Sequence, residues 1–181
     1  MTVGTARQRA ASEEEFVAFA TARGGQLYRS AYFLTGGDAH LAEDLVQDTL
    51  GQMYTQWHRL QRPSWAGRID NPAGYARTVL VRAYLTHQRR RSNTERPSRV
   101  LPEVPAPEQD AALRLALVDA LAQLAPRDRA VVVLRYWEDR SVEETAAIVK
   151  DSSAAVRTRC TRALARLRSL LGAELAELVA R

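Results

Sequence analysis

A proline-rich stretch divides the sequence near its middle. Four prolines lie between residues 96 and 110: Pro97, Pro102, Pro105 and Pro107. Each one removes a backbone donor and disfavours helix in the residue before it. Because 181 residues are enough for two small domains, this stretch predicts a linker over residues 95–110, between a domain over 12–94 and another over 111–175.

Both sides of the linker carry the pattern of an all-α protein. Hydrophobic residues make up 46% of the chain, with only 9 Gly, and Ala, Leu, Arg and Val recur without strand-like alternation. We therefore expect two small helical domains. The predicted helices cover residues 13–23, 26–35, 39–59, 72–91, 111–124, 127–138, 141–149 and 153–171.

Short polar residues and glycines mark where these helices begin and end. Ser12 with Glu15, and Ser141 with Glu144, have the spacing of capping boxes, and residues 1–11 are expected to fray. Further N-caps and glycine breaks are predicted at Asp38, Asn71, Ser152, Gly24-Gly25 and Gly36-Gly37.

Charge is spread unevenly along the chain. The formal net charge is +5, from 26 Lys and Arg against 21 Asp and Glu. Residues 71–94 and 152–172 contain arginines and no acid, whereas residues 13–15 and 38–48 are acidic. This distribution predicts contact with nucleic acid at two places and with a protein at a third.

Cysteine usage and hydropathy restrict the compartment and the chemistry. The lone Cys160 excludes an internal disulfide and a multi-cysteine metal site. The N-terminus lacks the apolar run of a signal peptide, and no stretch is long and apolar enough to cross a bilayer. We expect a cytoplasmic protein with no cofactor and no metal.

The most specific local pattern is a helix-turn-helix in the second domain. Only Lys150, Asp151 and Ser152 separate helix 141–149 from helix 153–171, which is the short turn expected of this motif. Apolar residues at helical spacing predict the buried stripe of the second helix: Val156, Cys160, Ala163, Leu164, Leu167, Leu170 and Leu171. Its remaining circumference carries Ala154, Ala155, Arg157, Thr158, Arg159, Thr161, Arg162, Arg166 and Arg168.

The residue types on this remaining circumference suit the DNA major groove. Small residues in the first turn let a helix approach base edges, arginine donates bidentately to guanine or to phosphate, and threonine offers a hydroxyl and a methyl group. A charged helix face can also be merely solvated. The arginine excess without a single acid favours the DNA-binding interpretation.

One face of helix 39–59 is acidic and polar, with Asp44, Gln47 and Asp48 at i, i+3 and i+4. A solvated face and a protein-docking face both fit this pattern. A metal-dependent nuclease that uses Glu43, Asp44 and Asp48 is a third interpretation, but neither a histidine nor another acid completes a plausible ligand set.

The helix before the linker has a basic side. Arg82, Thr86 and Arg89 follow i, i+4, i+7 spacing, and Arg90 continues them, which suits a track of phosphates. In the preceding loop, Trp65 can stack on an unpaired base or fill a local core, and aromatic residues in short loops more often pack inward.

Several motifs occur in an order that resembles one protein family. AEDLVQDTL, NPAGYARTVLVRAYLTHQRRR, the proline-rich linker, LAPRDRAVVVLRYWEDRSVEETA and VRTRCTRALARLR follow one another between residues 16 and 171. The chain resembles an extracytoplasmic-function sigma factor of bacterial RNA polymerase, a non-enzymatic transcription initiation factor without a cofactor.

The resemblance implies partners for each of these faces. Asp44, Gln47 and Asp48 would dock on the clamp helices of the largest polymerase subunit, and the second domain would bind the flap of the second-largest subunit. The first domain would melt and recognise the -10 element, and the helix-turn-helix the -35 element. Residues assigned to the -10 element are Trp65, Arg82, Thr86, Arg89 and Arg90. Residues assigned to the -35 element are Ala154, Ala155, Arg157, Thr158, Thr161, Arg162 and Arg166.

Some positions depart from the family pattern. Arg82 stands where an asparagine is usual, Lys150 where the turn usually has glycine, and Ala154-Ala155 where Gly-Thr is usual. A stand-alone helix-turn-helix regulator is the alternative function. The sequence leaves open the promoters, the inducing signal and whether an anti-sigma factor binds this chain.

Overall fold

The computed structural model describes residues 3–60, 71–91 and 108–179. Within these ranges the chain is helical, joined by short turns, which confirms the all-α prediction. The helices are α1 (Val3–Thr35), α2 (Ala39–Leu60), α3 (Pro72–Arg91), α4 (Glu108–Ala122), α5 (Pro126–Val132), a π-helical turn (Val133–Trp137), α6 (Val142–Val149) and α7 (Ser153–Val179). Among the described residues, no helix has the length and apolar character that crossing a bilayer requires.

The first helix is longer than its sequence predicts. It runs through Gly24-Gly25 without a break and begins at Val3, so the expected capping box at Ser12 and the expected fraying of residues 3–11 are wrong. A helical glycine costs about 1 kcal/mol relative to alanine, which packing can offset. Here Leu27 is buried after the glycine pair, and the ring of Phe19 lies 5.0 Å from that of Trp57 before it.

Most of the predicted caps are confirmed. The Asp38 carboxylate accepts from the Leu41 N–H at 3.0 Å, and the Asn71 side chain accepts from the Gly74 N–H at 2.8 Å. Ser141 and Glu144 form both hydrogen bonds of a capping box at the start of α6. These caps depend on neighbours three residues away, which is why the sequence predicts them well.

Helix ends in the second half differ by several residues from those predicted. The stretch predicted as one helix over 127–138 is α5 followed by the π-helical turn, and α7 continues past Leu171 to Val179. Helix α4 begins at Glu108, inside the predicted linker. The rest of that linker, residues 95–107, lies outside the described residues, as do residues 92–94 of the predicted first domain.

The two halves, α1 to α3 and α4 to α7, pack against each other. One hydrophobic cluster contains buried residues of both halves, among them Leu34 and Tyr84 from the first and Val131, Leu134 and Val156 from the second. A second cluster lies within the second half, between α4, α5 and α7. The two predicted cores therefore meet, and the domain boundaries at residues 94 and 111 stay predictions.

A glycine turn makes this close packing possible. Gly36 and Gly37 have φ of 67° and 90°, in the left-handed region that favours glycine. A Cβ on Gly36 would lie 2.8 Å from Cβ of Ala122, and one on Gly37 would lie 2.7 Å from Cγ1 of Val118. Only glycine at both positions lets the corner between α1 and α2 rest on α4.

Candidate nucleic-acid interface

The turn between α6 and α7 has the geometry of a helix-turn-helix. Lys150 ends α6 in the left-handed conformation, with φ 54° and ψ 59°. A non-glycine residue pays about 1 kcal/mol for that conformation. The Asp151 N–H then donates to the Ala146 carbonyl at 3.0 Å, and the Ser152 hydroxyl accepts from the Ala155 N–H at 3.1 Å. Lys150 therefore takes a left-handed conformation that usually favours glycine.

The predicted stripe of α7 faces the core. Val156, Cys160, Ala163 and Leu167 are buried, and the other members of the stripe are partly buried. Burial also raises the pKa of the Cys160 thiol, so the thiol stays protonated and unreactive at neutral pH. The sequence-based reading of Cys160 as a core residue is confirmed.

The opposite side of α7 is exposed and basic. The residues predicted to read the -35 element lie together there, all of them exposed except the partly buried Ala155: Ala154, Ala155, Arg157, Thr158, Thr161, Arg162 and Arg166. Thr158 and Thr161 donate their hydroxyl protons to carbonyl oxygens one turn back, at 3.1 and 3.2 Å. Their oxygens keep lone pairs that can accept from a base or a phosphate donor.

The arginines of α7 differ in how they are held. Arg157 lies 3.5 Å from Glu143, in a pair that is exposed on both sides. Arg159 instead turns inward, with Nη1 2.7 Å from Asp128 and Nε 3.2 Å from Asp151. These two acids raise its pKa, Asp128 most of all, against the opposing effect of burial. The sequence does not separate Arg159 from its neighbours, because both acids approach it only in the folded chain.

The acidic face of α2 is exposed as predicted. Glu43, Asp44, Gln47 and Asp48 all point away from the core, whereas Leu45 on the opposite side is buried. In the part of the chain that the structure describes, no three His, Cys, Asp or Glu side chains are grouped to hold a metal ion. The exposed face of α2 therefore carries three carboxylates and one amide.

The basic side of α3 is only partly free. Arg90 is exposed, and Arg89 donates from Nη2 to the Thr86 hydroxyl at 3.1 Å. Arg82 reaches across to the second half, where its Nε and Nη2 donate to the carbonyls of Ile148 and Ala147 at 3.3 and 3.2 Å. Trp65 lies outside the described residues.

A buried polar cluster lies between the two halves, and no sequence pattern predicts it. Glu138 follows the π-helical turn, and its side chain is only 5% exposed. Its carboxylate accepts from Arg77 Nε at 2.6 Å, from the Ser30 hydroxyl and from Gln26 Nε2 at 3.5 Å. Nothing local marks Glu138, because its partners lie on α1 and α3.

Two family models match the chain. The model of Sigma-70 region 2 matches residues 19–94, and the model of Sigma-70, region 4 matches residues 120–169. The RNA polymerase sigma-E factor of Streptomyces coelicolor is 39% identical over 160 residues, which are 87% of this chain and 86% of that protein. The ECF RNA polymerase sigma factor SigL of Mycobacterium tuberculosis is 32% identical over 152 residues, 80% of this chain and 82% of that one.

Solved structures of the same fold are also similar. The sigma factor RpoE in complex with the anti-sigma factor NepR from Bartonella quintana has a TM-score of 0.68 at 22% identity, covering 88% of this chain and 98% of that chain. CnrH in complex with the cytosolic domain of CnrY has a TM-score of 0.58 at 28% identity, covering 89% of this chain and 90% of that one.

Proposed function

This chain belongs to the extracytoplasmic-function family of RNA polymerase sigma factors, and we propose how its two halves divide the work of promoter-specific initiation. Members of this family bind core RNA polymerase and promoter DNA and direct transcription to particular promoters. The alternative of a stand-alone helix-turn-helix regulator is wrong, because residues 19–94 match Sigma-70 region 2. In the proposed division, residues 12–94 dock on the polymerase and act on the -10 element, and residues 111–175 read the -35 element.

The exposed basic face of α7 is the observation that carries the proposal. Its first two turns present small residues, arginines and threonines directly after the helix-turn-helix turn. Recognition helices contact base edges with their N-terminal turns. Arg157 and Arg162 therefore read bases in the major groove. Arg166, one turn further along, contacts the phosphate backbone.

The acidic face of α2 supplies the polymerase contact. Asp44, Gln47 and Asp48 lie on the side of α2 that α1 and α3 leave uncovered. Charged faces of this kind speed association and select partners of opposite charge. We assign these three residues to the clamp helices of the largest subunit, and the second half to the flap of the second-largest subunit.

The basic side of α3, together with Trp65 in the loop before it, acts on the -10 element. Thr86, Arg89 and Arg90 line a path for the phosphates, and Arg82 joins them when α3 is free of α6. Melting needs no catalytic side chain, because capture of unstacked bases offsets a few kcal/mol of unpairing. The chain is accordingly proposed to be a non-enzymatic factor without a cofactor, acting in the cytoplasm.

An anti-sigma factor is a further proposed partner. RpoE, which has a similar fold, was solved in complex with one. Purification of this chain from its own cells, followed by identification of what remains bound in high salt, tests for such a partner.

Reconstitution with core RNA polymerase tests the proposal as a whole. We expect the mixture to initiate at a small set of sites that share one upstream element, when genomic DNA is transcribed and the 5′ ends of the transcripts are sequenced. Core polymerase alone is the control. Start sites that do not change when this chain is added would contradict the proposal.

A further inference from the structure

One arginine of α7 faces the protein instead of the solvent. The side chain of Arg159 is 25% exposed, whereas those of Arg157 and Arg162 are 64% and 63% exposed. Its two carboxylate partners are more buried still, with Asp128 17% exposed and Asp151 22%. Charge-assisted hydrogen bonds in such partly buried places are stronger than those of exposed pairs.

The two acids belong to two different elements of the second half. Asp128 lies in the first turn of α5, and Asp151 lies in the turn between α6 and α7. The other oxygen of Asp151 accepts the Ser152 N–H at 2.9 Å. Arg159 therefore ties α7 both to α5 and to the turn that precedes it.

Asp128 also faces a second arginine of α7. The oxygen that accepts from Arg159 at 2.7 Å lies 3.9 Å from Nη2 of Arg162. Arg162 is one of the two arginines proposed to read bases. One carboxylate thus holds Arg159 inside the protein and attracts Arg162 towards the same side of the helix.

We propose that Asp128 is a specificity-determining residue and Arg159 a positioning residue of promoter recognition. Asp128 keeps Arg159 from binding phosphate and restricts the positions that the Arg162 guanidinium can take, and Arg159 fixes the angle at which α7 leaves the turn. This inference rests on the proposed function of α7 as the reader of the -35 element.

The effect of charge on salt dependence separates this role from a purely structural one. Each additional phosphate contact steepens the slope of the logarithm of the binding constant against the logarithm of the salt concentration by about 0.9. It also adds affinity that does not depend on the DNA sequence. Loss of the Asp128 charge leaves Arg159 with Asp151 as its remaining carboxylate partner. Phosphate then competes better for the guanidinium, so we expect affinity to rise for every sequence while discrimination falls. A purely structural role predicts weaker binding and no steeper salt dependence.

The first test replaces the carboxylate without changing its shape. Holoenzyme is assembled from core polymerase and either the wild type or Asp128→Asn, and its binding to a promoter library with a randomised -35 region is measured over a range of salt. We expect the salt dependence of Asp128→Asn to steepen by about one phosphate contact. We expect its discrimination between the best and the average sequence to fall roughly tenfold, the contribution of one bidentate arginine.

Asp139→Asn is the matched control. It removes the same charge from the same half, and Asp139 is exposed at φ 49°, a conformation that asparagine tolerates. If Asp128→Asn and Asp139→Asn behave alike, the proposed role of Asp128 is wrong.

The second test addresses Arg159 directly. Arg159→Ala should lower the discrimination between promoter sequences without making the salt dependence shallower. Arg159→Lys should restore part of this discrimination, because lysine keeps the positive charge but lacks the planar set of guanidinium donors. A salt dependence that is shallower by about one contact, with discrimination unchanged, would make Arg159 a DNA contact and overturn the proposal. If Arg159→Ala does not fold by circular dichroism, the Asp128→Asn comparison decides.

Failure of this inference is distinguishable from failure of the proposed function. If Arg157→Ala and Arg162→Ala leave promoter preference unchanged, α7 is not the reader and the proposed function of α7 is wrong. If they change it while Asp128→Asn matches Asp139→Asn, only the role of Asp128 is wrong.

Discussion

Arg82 of α3 donates a hydrogen bond from Nε to the carbonyl oxygen of Ile148, 3.3 Å away near the end of α6. Arg82 is predicted to contact the -10 element, and Ile148 lies in the motif predicted to read the -35 element. The two elements are centred about 25 base pairs apart, roughly 85 Å of duplex at about 3.4 Å per base pair. Helices in contact cannot reach both elements at once, so the proposed division of the two elements between the halves requires α3 and α6 to separate on a promoter.

Energy transfer between dyes on the two halves tests this separation. With cysteines introduced at the exposed Thr21 and Ser169, we expect efficient transfer in the free chain, because the halves pack together. Transfer should fall when core polymerase and promoter DNA are added. Cys160 is buried and protonated, so it competes little for the label. Equal transfer in the free and promoter-bound chain would contradict the separation.

Glu138 holds the halves together, and its neutralisation should weaken the fold. Arg77 and Glu138 are 13% and 5% exposed, so Glu138→Gln leaves a partly buried guanidinium without its counter-charge. We expect the free energy of unfolding to fall by about 3 kcal/mol, measured by chemical denaturation. Glu143→Gln makes the same change in an exposed pair and should cost less than about 0.5 kcal/mol. If both variants lose the same free energy of unfolding, Glu138 contributes no more to stability than an exposed ion pair does.

The sequence predicts features that depend on near neighbours. Helix 72–91 is observed with the predicted ends, and the caps at Asp38 and Ser141 form because their partners are three residues away. The exposed residues of α7 follow from helical periodicity alone. Prediction therefore succeeds where the determining contact lies within a turn or two of helix.

Features that depend on tertiary contacts cannot be predicted from local sequence patterns. Packing on both sides carries α1 through Gly24-Gly25, against the propensity of glycine. Arg82 meets Ile148 from 66 positions away, and Ser30 meets Glu138 from 108 positions away. Arg82 consequently has the spacing of a DNA contact but binds α6 in the folded chain.

The buried Tyr84 should make the folded chain less stable at high pH. Its ring is fully buried, and burial raises its pKa from 10.0 to about 12, against the smaller opposing effect of Arg129. Between these values the folded chain keeps a proton that the unfolded chain releases. Stability should therefore fall as pH rises through this range, by about 2–3 kcal/mol in total.

The variant Tyr84→Phe isolates this effect. Within the described part of the chain, the Tyr84 hydroxyl has no hydrogen-bond partner, so its removal should raise the free energy of unfolding at pH 7 by about 1 kcal/mol. The loss between pH 10 and 12 should shrink by the amount that Tyr84 contributes. Tyr136→Phe, at an exposed tyrosine, is the control. If Tyr84→Phe is less stable than the wild type and loses as much stability between pH 10 and 12, the Tyr84 hydroxyl is solvated or hydrogen-bonded.

Docking on the polymerase should depend on the exposed face of α2. In the double variant, Asp44→Arg reverses a charge and Gln47→Ala removes an amide. Both side chains lie away from the core, so we expect the fold to survive and the affinity for core polymerase to be lost. Fluorescence anisotropy of the labelled chain measures that affinity, and circular dichroism checks the fold. Glu14→Arg reverses an exposed charge on α1 and should bind normally. Normal affinity of the α2 variant would assign docking to another surface.

Transcription by holoenzyme from a library with a randomised -35 region tests whether the exposed face of α7 reads the promoter. We predict that Arg157→Ala and Arg162→Ala each relax the preference at one base pair, at a cost of about 1–3 kcal/mol, because each removes a bidentate donor from a base edge. Arg166→Ala should weaken binding to all promoter sequences about equally and make the salt dependence of binding shallower by about one phosphate contact. An unchanged base preference in both Arg157→Ala and Arg162→Ala would show that the exposed face of α7 does not read the -35 element.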